Sequence, residues 1–140
     1  MEIRKATFDD IPSLFVLNEE FNGVGSTTEE AMIDSMKSNH NEIVFIAYDN
    51  NCAVGFICGQ VCQSVCYRTR HGDIAELFVS KKHRRKGIAR HLINTLERFF
   101  LEMDIHVITL ATSVDNVNAQ ALYEHCGYSG KNKLIYRKNI

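Results

Sequence analysis

The stretch SKKHRRKGIARHL, residues 80–92, gathers the groups that hold an anion. Five of the six residues from Lys81 to Lys86 are Lys or Arg, the sixth is His83, and Gly87 follows. Beyond Gly87 the apolar residues Ile88, Leu92, Ile93, Leu96, Phe99, Phe100 and Met103 recur at helical spacing, so the glycine marks a helix start. A helix N-terminus presents unpaired N–H groups and a partial positive charge. Arg84 and Arg85 add bidentate partners suited to phosphate, and a glycine lets the ligand approach the main chain. The chemistry is that of pyrophosphate binding. Charge alone also fits a solvated basic run or a nuclear-localisation or nucleic-acid patch. Neither of those accounts for the glycine or for the sharp onset of an amphipathic helix.

The elements that must position this loop can be read along the chain. EIRKAT (2–7) has the pattern of a short strand, and Asp9 or Asp10 caps a helix opening near Ile11 and Pro12, with Leu14, Leu17 and Phe21 on one face. FNGVGS (21–26) is a loop. Thr27-x-x-Glu30 is a capping-box pattern for a second helix. EIVFIAYDNNCAVGFICGQV predicts a β-hairpin turning at Asp49-Asn50-Asn51. A loop over SVCYRTRHG leads to a strand at 73–80, the helix 87–103, an apolar strand at 106–112, a helix over about 117–126 and a closing strand at 133–138. The order β-α-α-β-β-β-α-β-α-β predicts an α/β sandwich.

With 140 residues, 45% of them hydrophobic and 24% charged, the chain is expected to form a single domain over 1–140. A net charge of −1 argues against a dedicated nucleic-acid binder, because the positive charge is local. No apolar run is long enough for a membrane span, and MEIRKATFDD lacks the apolar core of a secretory leader. Five cysteines, an odd number, are expected as reduced thiols in a cytoplasmic protein. Cys58, Cys62 and Cys66 recur every fourth residue, but an extended strand would spread them over roughly 20 Å or more. They are expected as small buried hydrophobes, and no metal is expected.

Two motifs give the chain a resemblance. Arg84-x-x-Gly87-x-Ala89 resembles the (Gln/Arg)-x-x-Gly-x-(Gly/Ala) signature of the GCN5-related N-acetyltransferases, the GNAT superfamily, within the matching strand–loop–helix ELFVSKKHRRKGIARHLI. NVNAQALYEHCGY (116–128) is similar to that family's Asn-x-x-Ala-x-x-Leu-Tyr-x-x-x-Gly-(Phe/Tyr) pattern at every fixed position. The likeness covers roughly residues 42–138, whereas residues 1–41 follow only the general layout. The resemblance implies a mixed, mostly antiparallel central sheet with helices on both faces, with acetyl-CoA as cosubstrate. It implies that strand 73–80 splays from strand 106–112, with the pantetheine arm between them and a bulge freeing backbone N–H groups.

By the same resemblance, the cofactor-binding positions are Phe78 and Val79 through their main chain, the loop Arg84, Arg85, Lys86, Gly87, Ile88 and Ala89, and Asn116 and Tyr123. Tyr123 is the candidate general acid toward the departing thiolate, with a ring packed in the core as the alternative. Asn116 fits the pantetheine amides and also fits a plain helix N-cap. Glu76 is the candidate base, since a carboxylate within an apolar strand needs a partner or a task; an exposed ion-paired glutamate is the alternative. Asp73 and His71 are weaker candidates, and Cys126 falls near the expected thiol. Arg85 stands where many relatives carry glycine.

The expected activity is acetyl transfer to a primary amine by direct attack in a ternary complex. Glu19, Glu20, Asp73 and Glu76 favour a small cationic acceptor, and the segment around 76–89 resembles small aminoglycoside acetyltransferases, with polyamines in the same class. A protein or peptide amine and a non-catalytic acyl-CoA sensor are the alternatives. The resemblance also implies a homodimer paired through sheet edges.

Overall fold

The computed structural model describes residues 1–140. Along the chain run β1 (Glu2–Lys5), α1 (Ile11–Asn22), α2 (Glu29–Ser38), β2 (Glu42–Asp49), β3 (Cys52–Cys62), β4 (His71–Val79), α3 (Ile88–Glu102), β5 (Ile108–Leu110) and α4 (Val117–His125). The strands form one sheet in the order β1-β2-β3-β4-β5, antiparallel throughout except for the parallel pair β4–β5. Asn50 and Asn51 turn the β2–β3 hairpin at φ 49° and 64°, a conformation asparagine tolerates.

Helices cover both faces, so the α/β sandwich with a mostly antiparallel sheet is what the chain forms. On one face Leu14 and Leu17 of α1 pack with Ile46, Phe56 and Phe78. On the other, Leu92, Ile93, Leu96 and Phe100 of α3 are fully buried among Ile43, Phe45, Val54, Ile57 and Ile74. Each such side chain stabilises the fold by about 1.5–3 kcal/mol. Leu122 and Tyr123 place α4 on the α3 side. Helix α3 lies close because Gly59 and Gly72 offer no Cβ; one built there would meet Leu96 or Phe100 at 2.6 Å.

The N-terminal elements are knotted by Asp10. Both nitrogens of the Arg4 fork donate to its two carboxylate oxygens at 2.7 Å, and Tyr48 donates its hydroxyl at 2.7 Å. The Thr7 N–H and hydroxyl donate to the same carboxylate at 2.7 and 3.1 Å. Asp10 therefore does not cap α1 with its side chain but bonds back to Thr7, tying β1 to β2. The α2 cap also differs from expectation by one residue: Thr28, rather than Thr27, accepts the Ala31 N–H at 3.1 Å.

The expected closing strand at 133–138 does not form: residues beyond 128 have no regular structure, and Leu134, Ile135 and Tyr136 are 80%, 78% and 88% exposed. The strand expected at 106–112 shortens to Ile108–Leu110. Three residues offer too little edge to pair a further strand, and strand propensity without a partner does not order a segment.

Arg4 first, then Thr7 and Tyr48, hold the Asp10 carboxyl well below its ordinary range. A depressed carboxyl stabilises the fold above its unfolded pKa of about 4, and that contribution is lost as pH falls below it. Tyr48→Phe, which deletes one of these bonds, is expected to cost about 2 kcal/mol in urea unfolding at neutral pH. The deficit of Asp10→Asn is expected to be larger and to shrink as the pH drops below about 4.

Candidate active site

Strand β4 is the spine of the site. It pairs with β5 only from Gly72 to Ile74, opposite Ile108 to Leu110, so from Ala75 onward its outer edge is open. Against β3 the register slips between Gly59↔Ile74 and Cys58↔Glu76, leaving Ala75 as an unpaired bulge residue. The bulge changes which way the side chains point. Ile74 goes to the α3 core, whereas Glu76 joins Cys58 and Phe78 on the α1 face.

The ladder decides which main-chain donors are free. The Ser80 N–H donates to the Val54 carbonyl at 2.9 Å. By strand alternation, Phe78 and Glu76 also bond to β3, while the N–H groups of Leu77 and Val79 point into the opening. This corrects the expectation for Phe78, whose backbone is committed to the ladder. Val79 and Leu77 are the residues whose N–H groups lie on the open side of β4. The side chains of Phe78 and Val79 are buried in the two cores.

Beyond β4 the loop carries the basic residues. Arg84 donates its Nε to the Val79 carbonyl at 2.9 Å and sets its guanidinium 5.8 Å from the Phe78 ring centroid. That anchors the side chain while its Nη groups stay without a protein partner. Arg85 sits at φ 64°, a left-handed conformation that explains why glycine suits this position, and Gly87 at φ 79° directly precedes α3. Arg85 and Lys86 are exposed. Ile88 is a core residue, 3% exposed, and Ala89 packs against the core, so these two offer an anion only their backbone.

Two positions lie on α4. Asn116 is the N-cap, its Oδ1 accepting from the Ala119 N–H at 3.2 Å, which leaves its amide nitrogen open. Tyr123 is half-buried on the α3 side, edge-on to Tyr128 with ring centroids 6.1 Å apart. Burial first, and Cys126 second, raise its phenol pKa. Glu76 and Tyr123 therefore lie on opposite faces of the sheet.

Sequence reading missed Glu42. It lies at the start of β2 opposite Gln60, which donates to it at 2.8 Å. Burial raises its pKa. Burial, then the charge of Glu42, raises the pKa of Glu76, and both carboxylates push up the buried Cys58 thiol. Glu42 also lines a cleft of about 170 Å³ with Lys5, Met36 and His40. Asp73, by contrast, accepts from the Thr109 hydroxyl at 2.8 Å, and His71 is exposed at the strand start.

A sheet that opens beside a helix N-terminus, with a left-handed basic loop between them, is the architecture of an N-acetyltransferase. The model of the acetyltransferase (GNAT) family matches residues 11–128, and the chain belongs to that family. N-alpha-acetyltransferase 30 of Xenopus laevis is 34% identical over 101 residues, spanning 71% of this chain and 36% of that protein. The uncharacterized N-acetyltransferase YhfO of Bacillus subtilis is 29% identical over 141 residues, spanning 97% of this chain and 95% of that protein. The solved structure of the aminoglycoside N-acetyltransferase AAC(6')-Iy in complex with CoA superposes with a TM-score of 0.82 at 19% identity, covering 99% of this chain and 100% of that one. That last likeness is one of fold.

Arg85 supplies a test of the loop. A non-glycine left-handed residue costs about 1–2 kcal/mol, partly offset by the greater unfolded-state entropy of glycine. Arg85→Gly is expected to raise stability by about 0.5 kcal/mol. The same variant should bind CoA more weakly, with a shallower salt dependence. Calorimetric titration at two ionic strengths and urea unfolding check both halves.

Proposed function

We propose that the chain transfers the acetyl group of acetyl-CoA to a primary amine by direct attack in a ternary complex. The observation that carries this reading is the opening of β4 from β5 immediately before the Arg84–Gly87 loop and the N-terminus of α3. The residues present fit the cosubstrate. The left-handed loop, the unpartnered Nη groups of Arg84 and the first turn of α3 suit a pyrophosphate, and the open amide of Asn116 suits the pantetheine arm. When bound, acetyl-CoA supplies an acetyl group already activated as a thioester.

The protein's own groups account for the rest. The Leu77 and Val79 N–H groups point where a thioester carbonyl oxygen would gain negative charge, and fixed main-chain donors stabilise it there. Glu76, on the α1 face, takes the proton of the acceptor ammonium, directly or through water. Its raised pKa makes it a better base than an ordinary glutamate. The new bond joins the amine nitrogen to the acetyl carbon as the carbon–sulfur bond breaks. Tyr123, kept protonated by burial, gives its proton to the sulfur, and the second proton released by the nitrogen as the amide forms restores the phenol through solvent.

Glu42 and Glu76 form no salt bridge, although Lys5 lines the cleft beside Glu42, and their charge favours a small polycationic amine of the aminoglycoside or polyamine kind. The 34% identity to an N-alpha-acetyltransferase favours a second reading, a peptide α-amine. Five free thiols suit a cytoplasmic setting, and no helix is long and apolar enough to cross a membrane. The outer edges of β1 and β5 are the surfaces through which a homodimer would pair.

Thermal unfolding with acetyl-CoA tests the cosubstrate: at 100 times the dissociation constant the ligand adds about 2.7 kcal/mol, a shift of several degrees. No shift at millimolar acetyl-CoA, or a shift retained by Gly87→Glu, overturns the reading. CoA release assayed with an aminoglycoside, spermidine and a short peptide then separates the acceptor classes. Glu76→Gln is expected to lower kcat by about 100-fold or more, an effect a sensor without turnover would not show. In the wild type, kcat/KM rises with pH through the raised Glu76 pKa. Glu42→Gln removes one of the causes of that rise and is expected to move the acidic limb to lower pH.

A further inference from the structure

Glu20, in the last turn of α1 and one of the carboxylates expected to attract a cationic acceptor, also touches the loop that would hold the cosubstrate. Its Oε1 accepts two hydrogen bonds at 3.2 Å, from the Ser80 hydroxyl and from the Lys81 N–H. Ser80 and Lys81 are the first residues after β4 and lead directly into Arg84–Gly87. The neighbouring side chain, Phe21, stacks on Phe78 with ring centroids 5.0 Å apart and meets Phe56 edge-on at 6.3 Å. The end of α1 is thus fastened to the loop at one residue and to β4 at the next.

The same end of α1 also reaches the segment joining α1 to α2. Asn18, one half-turn earlier, donates its Nδ2 to the Ser26 hydroxyl at 2.9 Å, and its Oδ1 accepts from the Asn22 Nδ2 at 2.9 Å. Within Gly23–Thr28 only the Gly23 and Ser26 amides donate to the backbone, to Glu19 and Gly23. The one side-chain hydrogen bond that ties this segment to α1 is that from Asn18 to Ser26.

We propose that Glu20 is a positioning residue that couples occupancy of the Arg84–Gly87 loop to the order of Gly23–Thr28, the segment that follows α1, the helix on the Phe78 face of the sheet; this rests on the acetyl-CoA reading above. The physical reason is that a pyrophosphate fixes the loop through Arg84 and the α3 N-terminus, and Ser80 and Lys81 are fixed with it. The Glu20 carboxylate then has an immobile pair of donors, the end of α1 is held with it, and the Ser26 side of the segment, bonded to Asn18 on that same helix, loses freedom. By linkage, ordering of that segment by an amine raises affinity for the cosubstrate by the same factor.

The coupling needs a hydrogen-bond acceptor at position 20 rather than a charge. Glu20→Gln keeps an acceptor oxygen and Glu20→Ala does not, while both remove the charge by which Glu20 would attract a cationic amine, so the difference between the two variants reads the hydrogen bonds alone. Amide hydrogen exchange of the full chain, with and without saturating CoA, reads the effect. In the wild type and in Glu20→Gln, CoA is expected to slow exchange in the peptide covering 23–28 by about five-fold or more, the low end of allosteric couplings. In Glu20→Ala that slowing is expected to vanish, while protection of residues 81–89 by CoA persists. The same alanine variant should raise the KM of whichever amine the panel identifies more than that of acetyl-CoA, with kcat little changed.

Slowing at 23–28 that survives in Glu20→Ala, or protection at 81–89 without any at 23–28 in the wild type, overturns the coupling and leaves the cosubstrate site standing. Absence of CoA protection at 81–89 in the wild type overturns both.

Discussion

Strand β4 keeps its full ladder to β3 while its partner on the other side stops at Ile74, and the site follows from that asymmetry. Had β5 continued, the Leu77 and Val79 N–H groups would be spent on it and the sheet would close. Because it does not, two ordered main-chain donors face an opening on a strand that cannot move, since its other edge is zipped to the hairpin. Rigid donors of this kind stabilise developing charge without a reorganisation cost. The bulge at Ala75 completes the arrangement, because it alone lets Ile74 serve the α3 core and Glu76 the opposite face. Restoring a regular register would turn one of those side chains to the wrong side.

Arg84 uses the same open edge. Its Nε caps the Val79 carbonyl, so the acceptor on this part of β4 is satisfied internally while the donor of the same residue stays available. The bond, with the Phe78 ring beneath the guanidinium, also fixes the side chain before any anion arrives. A preorganised guanidinium loses less entropy on binding a phosphate than a freely rotating one. The neighbouring Arg85 and Lys86 are exposed, so their role is one of field more than of geometry. The basic run that stands out in the sequence is thus divided by the fold into one positioned arginine and a diffuse positive surface.

The fold was legible where side-chain periodicity and local chemistry agree. The α3 stripe, the Asn50-Asn51 hairpin and the glycine before α3 each carry their own signal over a few residues. The failures are those of tertiary partnership. Leu134, Ile135 and Tyr136 have strand-forming side chains, but the three-residue β5 gives them no ladder to join. Glu42 was invisible as a site residue because its relation to Glu76 passes across β3 and depends on a bulge two strands away. Phe78 and Val79 are neighbours with the same apolar character, and only the ladder phase, fixed by the bond from Ser80 to Val54, tells which of them shows its N–H to the opening. Sequence reports side-chain type well; it does not report the phase of a backbone.

In the proposed reaction burial is the leading influence on both titratable groups, with a neighbouring charge second. For Glu76 the disfavoured form is the carboxylate, so desolvation strengthens it as a base, and Glu42 adds to that shift. For Tyr123 the disfavoured form is the phenolate, so the same desolvation keeps the proton in place until a strong acceptor forms beside it. Both shifts run upward, and both arise first from burial rather than from a partner charge. A group taking a proton from an ammonium and a group giving one to a thiolate need no opposite environments. In the proposed reaction the two groups act from opposite faces of the sheet, with the amine approaching from the α1 side and the sulfur leaving toward α4.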